Sequence, residues 1–195
     1  MTTLVSRRAA AALVLALAGL QGAAWADSAP RVKLSTTAGD IVIEVYPDKA
    51  PRTAANFLQY VREKQYDGTI FHRVIPGFMI QGGGFTPTMQ EKSTRAAIPL
   101  ETRPDLTNDR GTVAMARTAD PNSATAQFFI NLVDNARLNA PSPDGHGYAV
   151  FGKVVSGMDV VDKIRAVPTG SSGMYQNVPA TPVVIKSATL LKSPG

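Results

Sequence analysis

The chain has 195 residues, a formal charge of +5 from 20 basic and 15 acidic side chains, two histidines and no cysteine. The charge is mild and forms no basic run, so the electrostatic footprint of a nucleic-acid binder is missing. Without cysteine no disulfide can form, and with no His-x-x-x-His or His-Glu pairing a zinc site has no ligand set.

In chain order, residues 1–26 read as a secretory signal peptide. Arg7 and Arg8 form a basic start, Ala9 to Leu20 is an Ala- and Leu-rich run, and Ala24-Trp25-Ala26 is a small-residue cleavage pattern. The apolar run is shorter than the ~20 residues a membrane span needs. Residues 27–195 are enough for one domain with an ample core, and no further boundary is visible. A soluble exported protein follows, with nothing that calls for an obligate oligomer, so a monomer is expected.

Arg31 to Thr37 and Asp40 to Tyr46 both alternate apolar and polar residues, and Ala38-Gly39 between them marks a hairpin. Ala50 to Lys64 changes period. Ala54, Phe57, Leu58 and Val61 lie on one helical face, with Pro51 suited to the first turn. Phe71 to Gly84 reads as two short strands joined at Pro76-Gly77. Alternation puts Arg73 and Ile75 on one side, Met79 and Gln81 on one side, and His72 on the face opposite Arg73. Thr86 to Asp109 is a polar, proline-punctuated loop with one short strand near Ala97 to Leu100. Thr112 to Arg117, Gln127 to Leu132 and Tyr148 to Val155 are further strands. Ser156 is read as the cap of a second helix buried through Met158, Val161 and Ile164. Thr169 to Gln176 reads as a flexible loop, and Val183 to Leu191 as the last strand. About eight strands with two widely separated helices do not fit a parallel βαβ sheet. They fit a mainly β fold, a closed eight-stranded antiparallel barrel with an α-helix capping each end.

The remaining chemistry is sparse. No Gly-x-Ser-x-Gly elbow is present, and Gly82-Gly83-Gly84 lacks the lysine of a phosphate loop, so these glycines are read as places of close backbone approach. His72 is read as a buried or hydrogen-bonded strand histidine. What is left is an apolar groove floored by Phe78, Met79, Phe129 and Leu138, with Arg73, Gln81 and Gln127 as polar groups. The plainer reading makes the aromatic and thioether side chains ordinary core. Arg73 weighs against it, because a guanidinium in such a run must have a use or a partner.

These residues carry a resemblance. Phe71-His72-Arg73-Val74-Ile75-Pro76-Gly77-Phe78-Met79-Ile80-Gln81-Gly82-Gly83 is similar to the signature of the cyclophilin-type peptidyl-prolyl cis-trans isomerases. So are Gly111 to Ala116, Ser123 to Asn131 and Val150 to Val154, in the same order and spacing over roughly residues 31–191. The resemblance implies an eight-stranded barrel with two helices and an isomerase that needs no cofactor and no metal. Its partners would be unfolded or partly folded polypeptides containing X-Pro bonds, with no nucleic acid and, after signal cleavage, no membrane. The family's essential arginine falls on Arg73, and its proline pocket on Phe78, Met79, Phe129 and Leu138. Its substrate amides fall on Gln81 and Gln127, and its peptide-backbone contacts on Ala116 and Arg117. Three positions depart from many eukaryotic members: Arg117 replaces Asn, Tyr148 replaces the groove histidine, and Arg137 replaces a tryptophan whose loss weighs against tight cyclosporin binding. Together with the signal, the exported bacterial type is implied, and with it the periplasm. A second class stays open, a peptide-binding chaperone or adaptor on the same fold with little isomerase activity.

Overall fold

The computed structural model describes residues 29–192. The signal peptide expected at 1–26 lies outside the described residues. Eight strands close a barrel: β1 (Arg31–Thr36), β2 (Gly39–Val45), β3 (Thr69–Ile75), β4 (Met79–Gly82), β5 (Thr112–Met115), β6 (Phe128–Asn131), β7 (Val150–Ser156) and β10 (Val184–Leu190). Their order around the barrel is β1-β10-β3-β4-β6-β5-β7-β2, and every pairing is antiparallel. The expected mainly β barrel with two helices is what the chain forms. Closure removes the open sheet edges that would invite pairing with other chains.

The alternation seen in the sequence becomes inside and outside. Val32, Leu34, Ile41, Ile43 and Val45 of the first hairpin are fully buried in the interior. Phe57, Tyr66, Phe128 and Phe151 fill the centre with ring centroids 4.9–5.7 Å apart, tilted or edge-on as aromatic quadrupoles favour.

Helix α1 (Pro51–Arg62) follows β2, and α2 (Met158–Arg165) follows β7. Strands β2 and β7 run antiparallel, so the helices cover opposite barrel ends. Ala54, Phe57, Leu58 and Val61 of α1 and Val160, Val161 and Ile164 of α2 join the interior cluster. Pro51 is the first residue of α1, where its missing N–H costs nothing. No side chain of its own caps that end. Glu101 does so from 48 residues away, accepting hydrogen bonds from the Arg52 and Thr53 amides (3.1 and 2.7 Å) and the Thr53 hydroxyl (2.7 Å). A carboxylate there also complements the helix dipole.

Three expectations are corrected. Ser156 does not cap α2: it is the last residue of β7, paired with Val42, and the cap is Gly157 at φ +88°. Only glycine fits, because a Cβ at 157 would collide with the Asp40 carbonyl. Ala97 to Leu100 is not a strand but a single bridge, Ile98 to Ala124. Thr169 to Gln176 is not a flexible loop. It forms β8 (Thr169–Ser172) and the start of β9 (Tyr175–Pro179), a hairpin outside the barrel packed on β3, with Tyr175 edge-on to Phe85 at 5.1 Å. Among the described residues no helix is long and apolar enough to cross a membrane.

Candidate active site

The site lies on the outer face of the β3-β4-β6-β5 wall. In β4 and β6, Ile80, Phe128 and Ile130 point into the barrel, while Met79 and Phe129 point out. Arg73 pairs with Gln81, and Ile75 with Met79, across the β3-β4 ladder. Both pairs therefore stand on the same outer face. Met79, Ala114, Phe129, Leu138 and Val150 form a second apolar cluster, separate from the interior, with Phe78 and Tyr148 packed at its border. The choice between groove and core resolves this way: these side chains are well covered, yet they form the floor of a surface cavity.

That cavity, of about 90 Å³, is lined by Arg73, Phe78, Met79, Gln81, Ala116, Arg117, Phe129, Leu138 and Tyr148. Nine of the ten expected site residues thus meet in one place. The tenth, Gln127, lines an adjoining open trough of about 450 Å³ that also borders Arg73, Gln81 and the β8-β9 hairpin. Gly84 permits this placement: the Gln127 side chain lies where a Cβ at 84 would stand, 2.6 Å away.

Among the described residues no carboxylate pairs with Arg73. Its one side-chain hydrogen bond among the described residues is long, donated to Gln81 Oε1 at 3.4 Å. Gln81 Nε2 in turn donates to Gln127 Oε1 at 2.9 Å. The amide row orients the guanidinium without neutralising it, so a full positive charge borders an apolar cavity. Such a group stabilises negative charge or a lone pair that appears beside it.

The departing positions have intramolecular work. The Arg117 side chain is 1% exposed and pairs with Asp144 at 2.7 Å. It also donates to the Gly147 carbonyl (2.8 and 3.1 Å) and the Thr118 carbonyl (2.9 Å), with its guanidinium 4.4 Å from the Tyr148 ring centre. This hydrogen bonding holds the Asp144 carboxyl below its ordinary range. Tyr148 meets Phe129 edge-on at 5.7 Å, and Arg137 covers the Phe78 ring at 4.6 Å. Both arginines thus clamp cavity walls through aromatic faces.

His72 does not face away from Arg73. The β3-β4 register shifts between Phe71 and Arg73, a bulge that lets Phe71 and Val74 both point inward. His72 then shares the outer face with Arg73, its ring tilted against Phe85 with centroids 4.6 Å apart in the trough. It is buried, as expected, but its Nδ1 has no hydrogen-bond partner among the described residues. Burial first, and the Arg73 charge second, push its pKa from 6.5 down to about 4. The unfolded chain therefore binds a proton at His72 before the folded one does. The stability this histidine confers is complete above pH 6.5 and is lost as pH falls toward 4, by up to about 3 kcal/mol. Urea unfolding at pH 7 and pH 4.5 should show that drop in wild type and a smaller one in His72→Phe. Equal drops would remove His72 from the account.

Sequence reasoning missed the buried asparagines behind the cavity, Asn108, Asn131 and Asn135. Their only sequence signal is an asparagine at the end of an apolar strand, Phe128–Asn131, where a polar side chain needs partners.

Comparison with known proteins points to one family and one fold. The profile of the cyclophilin type peptidyl-prolyl cis-trans isomerase family matches residues 31–190. A peptidyl-prolyl cis-trans isomerase of Streptomyces antibioticus is 63% identical over 162 residues, covering 82% of this chain and 98% of that protein. Peptidyl-prolyl cis-trans isomerase B of Escherichia coli is 59% identical over 161 residues, with the same coverage of each. Among solved structures, a Cryptosporidium parvum cyclophilin type isomerase, crystallised in the presence of the dipeptide Ala-Pro, superposes with a TM-score of 0.72. It is 30% identical, over 84% of this chain and 99% of that one.

Proposed function

Because the chain belongs to the cyclophilin-type peptidyl-prolyl cis-trans isomerases, we propose that it speeds X-Pro rotation in exported polypeptides as they fold, with Arg73 as its catalytic residue. The observation that carries the site assignment is the uncompensated Arg73 at the edge of an apolar cavity walled by Phe78, Met79, Phe129 and Leu138.

An X-Pro bond prefers trans only slightly, but amide resonance raises a barrier of ~18–20 kcal/mol and rotation takes tens of seconds or more. No bond is made or broken. In the twisted transition state the proline nitrogen is pyramidal and carries a lone pair. Arg73 donates a hydrogen bond to that nitrogen, an interaction the planar ground states cannot offer, so it lowers the barrier rather than only tightening binding. The apolar cavity grips the ring. Backbone groups of Ala116 and Arg117, with Gln81 and Gln127, hold the flanking chain while the carbonyl swings past it. Among the described residues the Arg117 N–H and carbonyl make no backbone hydrogen bond, so both are available to a peptide. An acceleration of ~10⁴–10⁵ needs about 5.5–7 kcal/mol in all. A charge-assisted hydrogen bond in a water-poor site together with fixation of the ring is of that order.

Export rests on residues 1–26, which precede the start of the family match at residue 31. One preparation tests both parts. The full chain is expressed in a bacterium, recovered from a periplasmic extract with Asp27 as its first residue, and assayed on a short X-Pro peptide. Recovery only from the cytoplasm with an intact N-terminus defeats the export reading. Peptide binding with no acceleration over solvent defeats the enzyme reading and leaves a chaperone or adaptor.

A further inference from the structure

The cavity has two kinds of wall. Met79, Gln81 and Phe129 stand on strands and are fixed by the sheet ladder, whereas Phe78, Leu138 and Tyr148 lie outside the strands. The carbonyls of those three all accept hydrogen bonds from one chain of buried side-chain amides, the Phe78 carbonyl from the Leu132 N–H as well. Asn135 Nδ2 donates to the Phe78 carbonyl at 2.9 Å and to Asn131 Oδ1 at 2.7 Å. Asn131 Nδ2 donates to Asn108 Oδ1 at 3.2 Å and to Thr112 Oγ1 at 2.9 Å, which ties the chain to β5. Asn108 Nδ2 reaches the Leu138 and Tyr148 carbonyls at 3.2 and 3.3 Å, and Asn139 Oδ1 accepts from the Asn108 amide at 2.7 Å. Tyr148 N–H donates back to the Leu138 carbonyl at 2.9 Å.

We propose that Asn108, Asn131 and Asn135 are positioning residues for the proline site: their amide chain sets the spacing between the loop-borne walls and the strand-borne floor. This rests on the isomerase reading of the cavity. A network of buried amides is rigid only when every member is satisfied, and cutting one link leaves its neighbours unpaired in a dry setting. The apolar residues around the cavity cannot fix this spacing, because dispersion contacts have no direction. Arg73 sits on β3, outside the network. Loosening the network therefore weakens the grip on the ring and leaves the group that acts on the twisted nitrogen in place.

The test titrates a short Ala-Pro peptide into wild type, Asn135→Ala and Asn139→Ala by backbone-amide NMR, beside turnover of an X-Pro substrate. Asn139 is half-buried at the outer end of the network, so its variant retains the fold if the internal one does not. Val161→Ala, in α2 of the main core, is the stability control. Asn135→Ala should raise peptide Kd and KM about fivefold or more, and Asn139→Ala about twofold, each with kcat within about twofold of wild type. Val161→Ala should lower the melting temperature without moving Kd. The proposal is overturned if the asparagine variants lose thermal stability but bind as wild type does, or if kcat falls while Kd stays. Wild type that binds the peptide without accelerating rotation would sink the isomerase reading and leave the positioning claim to be decided by Kd alone.

Discussion

Replacing Arg73 by alanine is expected to cut kcat/KM about 10²–10³-fold, the loss typical of one transition-state donor worth ~2.7–4 kcal/mol. The loss should appear in kcat, because the walls that bind the proline ring remain. Stability should hardly change. Arg73 has no carboxylate partner among the described residues, and its link to Gln81 is long. A charge kept uncompensated beside an apolar surface contributes little to the fold, so its removal is close to neutral or slightly stabilising. Arg73→Lys should recover only part of the rate, since an ammonium lacks the planar fork that the Gln81 amide orients. The check is a cis-to-trans assay on a short X-Pro peptide with a thermal melt of each variant. Arg73→Ala with wild-type kcat would remove the arginine from the mechanism. A collapse of the melting temperature would recast it as a structural residue.

The parts legible in the sequence are those whose physics is local. Period-two alternation in Arg31 to Thr36 and Gly39 to Val45 set the inside and outside of the first hairpin. Period 3.6 in Ala54, Phe57, Leu58 and Val61 set the buried face of α1. Arg73, Phe78, Met79 and Gln81 fall within nine consecutive residues, so one hairpin register brings them together. What escaped depends on partners far along the chain or on one inserted residue. The bulge at His72 flips a side chain without changing the apolar pattern that alternation reads. The β8-β9 hairpin opens on Gly170-Ser171-Ser172-Gly173, with little strand propensity of its own, and is held by packing on β3. Glu101 had no visible role because the helix end it caps lies 48 residues earlier. The asparagine chain spans Asn108 to Asn139, and spacing on a strand or helix cannot reveal such a link. The resemblance supplied Arg117 and Tyr148 as site positions but not their chemistry, because the ion pair from Arg117 crosses 27 residues to Asp144.

Arg117→Ala carries the second large expected effect, on binding and on the fold together. The Arg117 side chain is 1% exposed and joins the backbone after β5 to the segment that supports Tyr148. Its loss strips the Tyr148 ring of its cation and leaves the Gly147 and Thr118 carbonyls without their donor. Removing a buried side chain that satisfies several acceptors costs about 2–3 kcal/mol, or roughly 5–10 °C of melting temperature for a domain of this size. The Tyr148 wall then loses its lateral support, and KM should rise about tenfold with a smaller change in kcat. Arg117→Lys should resemble the alanine variant, because one ammonium cannot reach Gly147, Thr118 and Asp144 at once. Asp144→Asn should be milder: the amide oxygen still accepts, and the two carbonyls and the Tyr148 ring remain around the guanidinium. Since that bonding holds the Asp144 carboxyl below its ordinary 3.8, the pair persists through mildly acidic pH, and wild type should keep its KM there. Thermal melts and initial rates on an X-Pro peptide across the three variants decide the matter. Arg117→Ala with unchanged melting temperature and KM would show that the 140–148 segment is held by something other than this clamp.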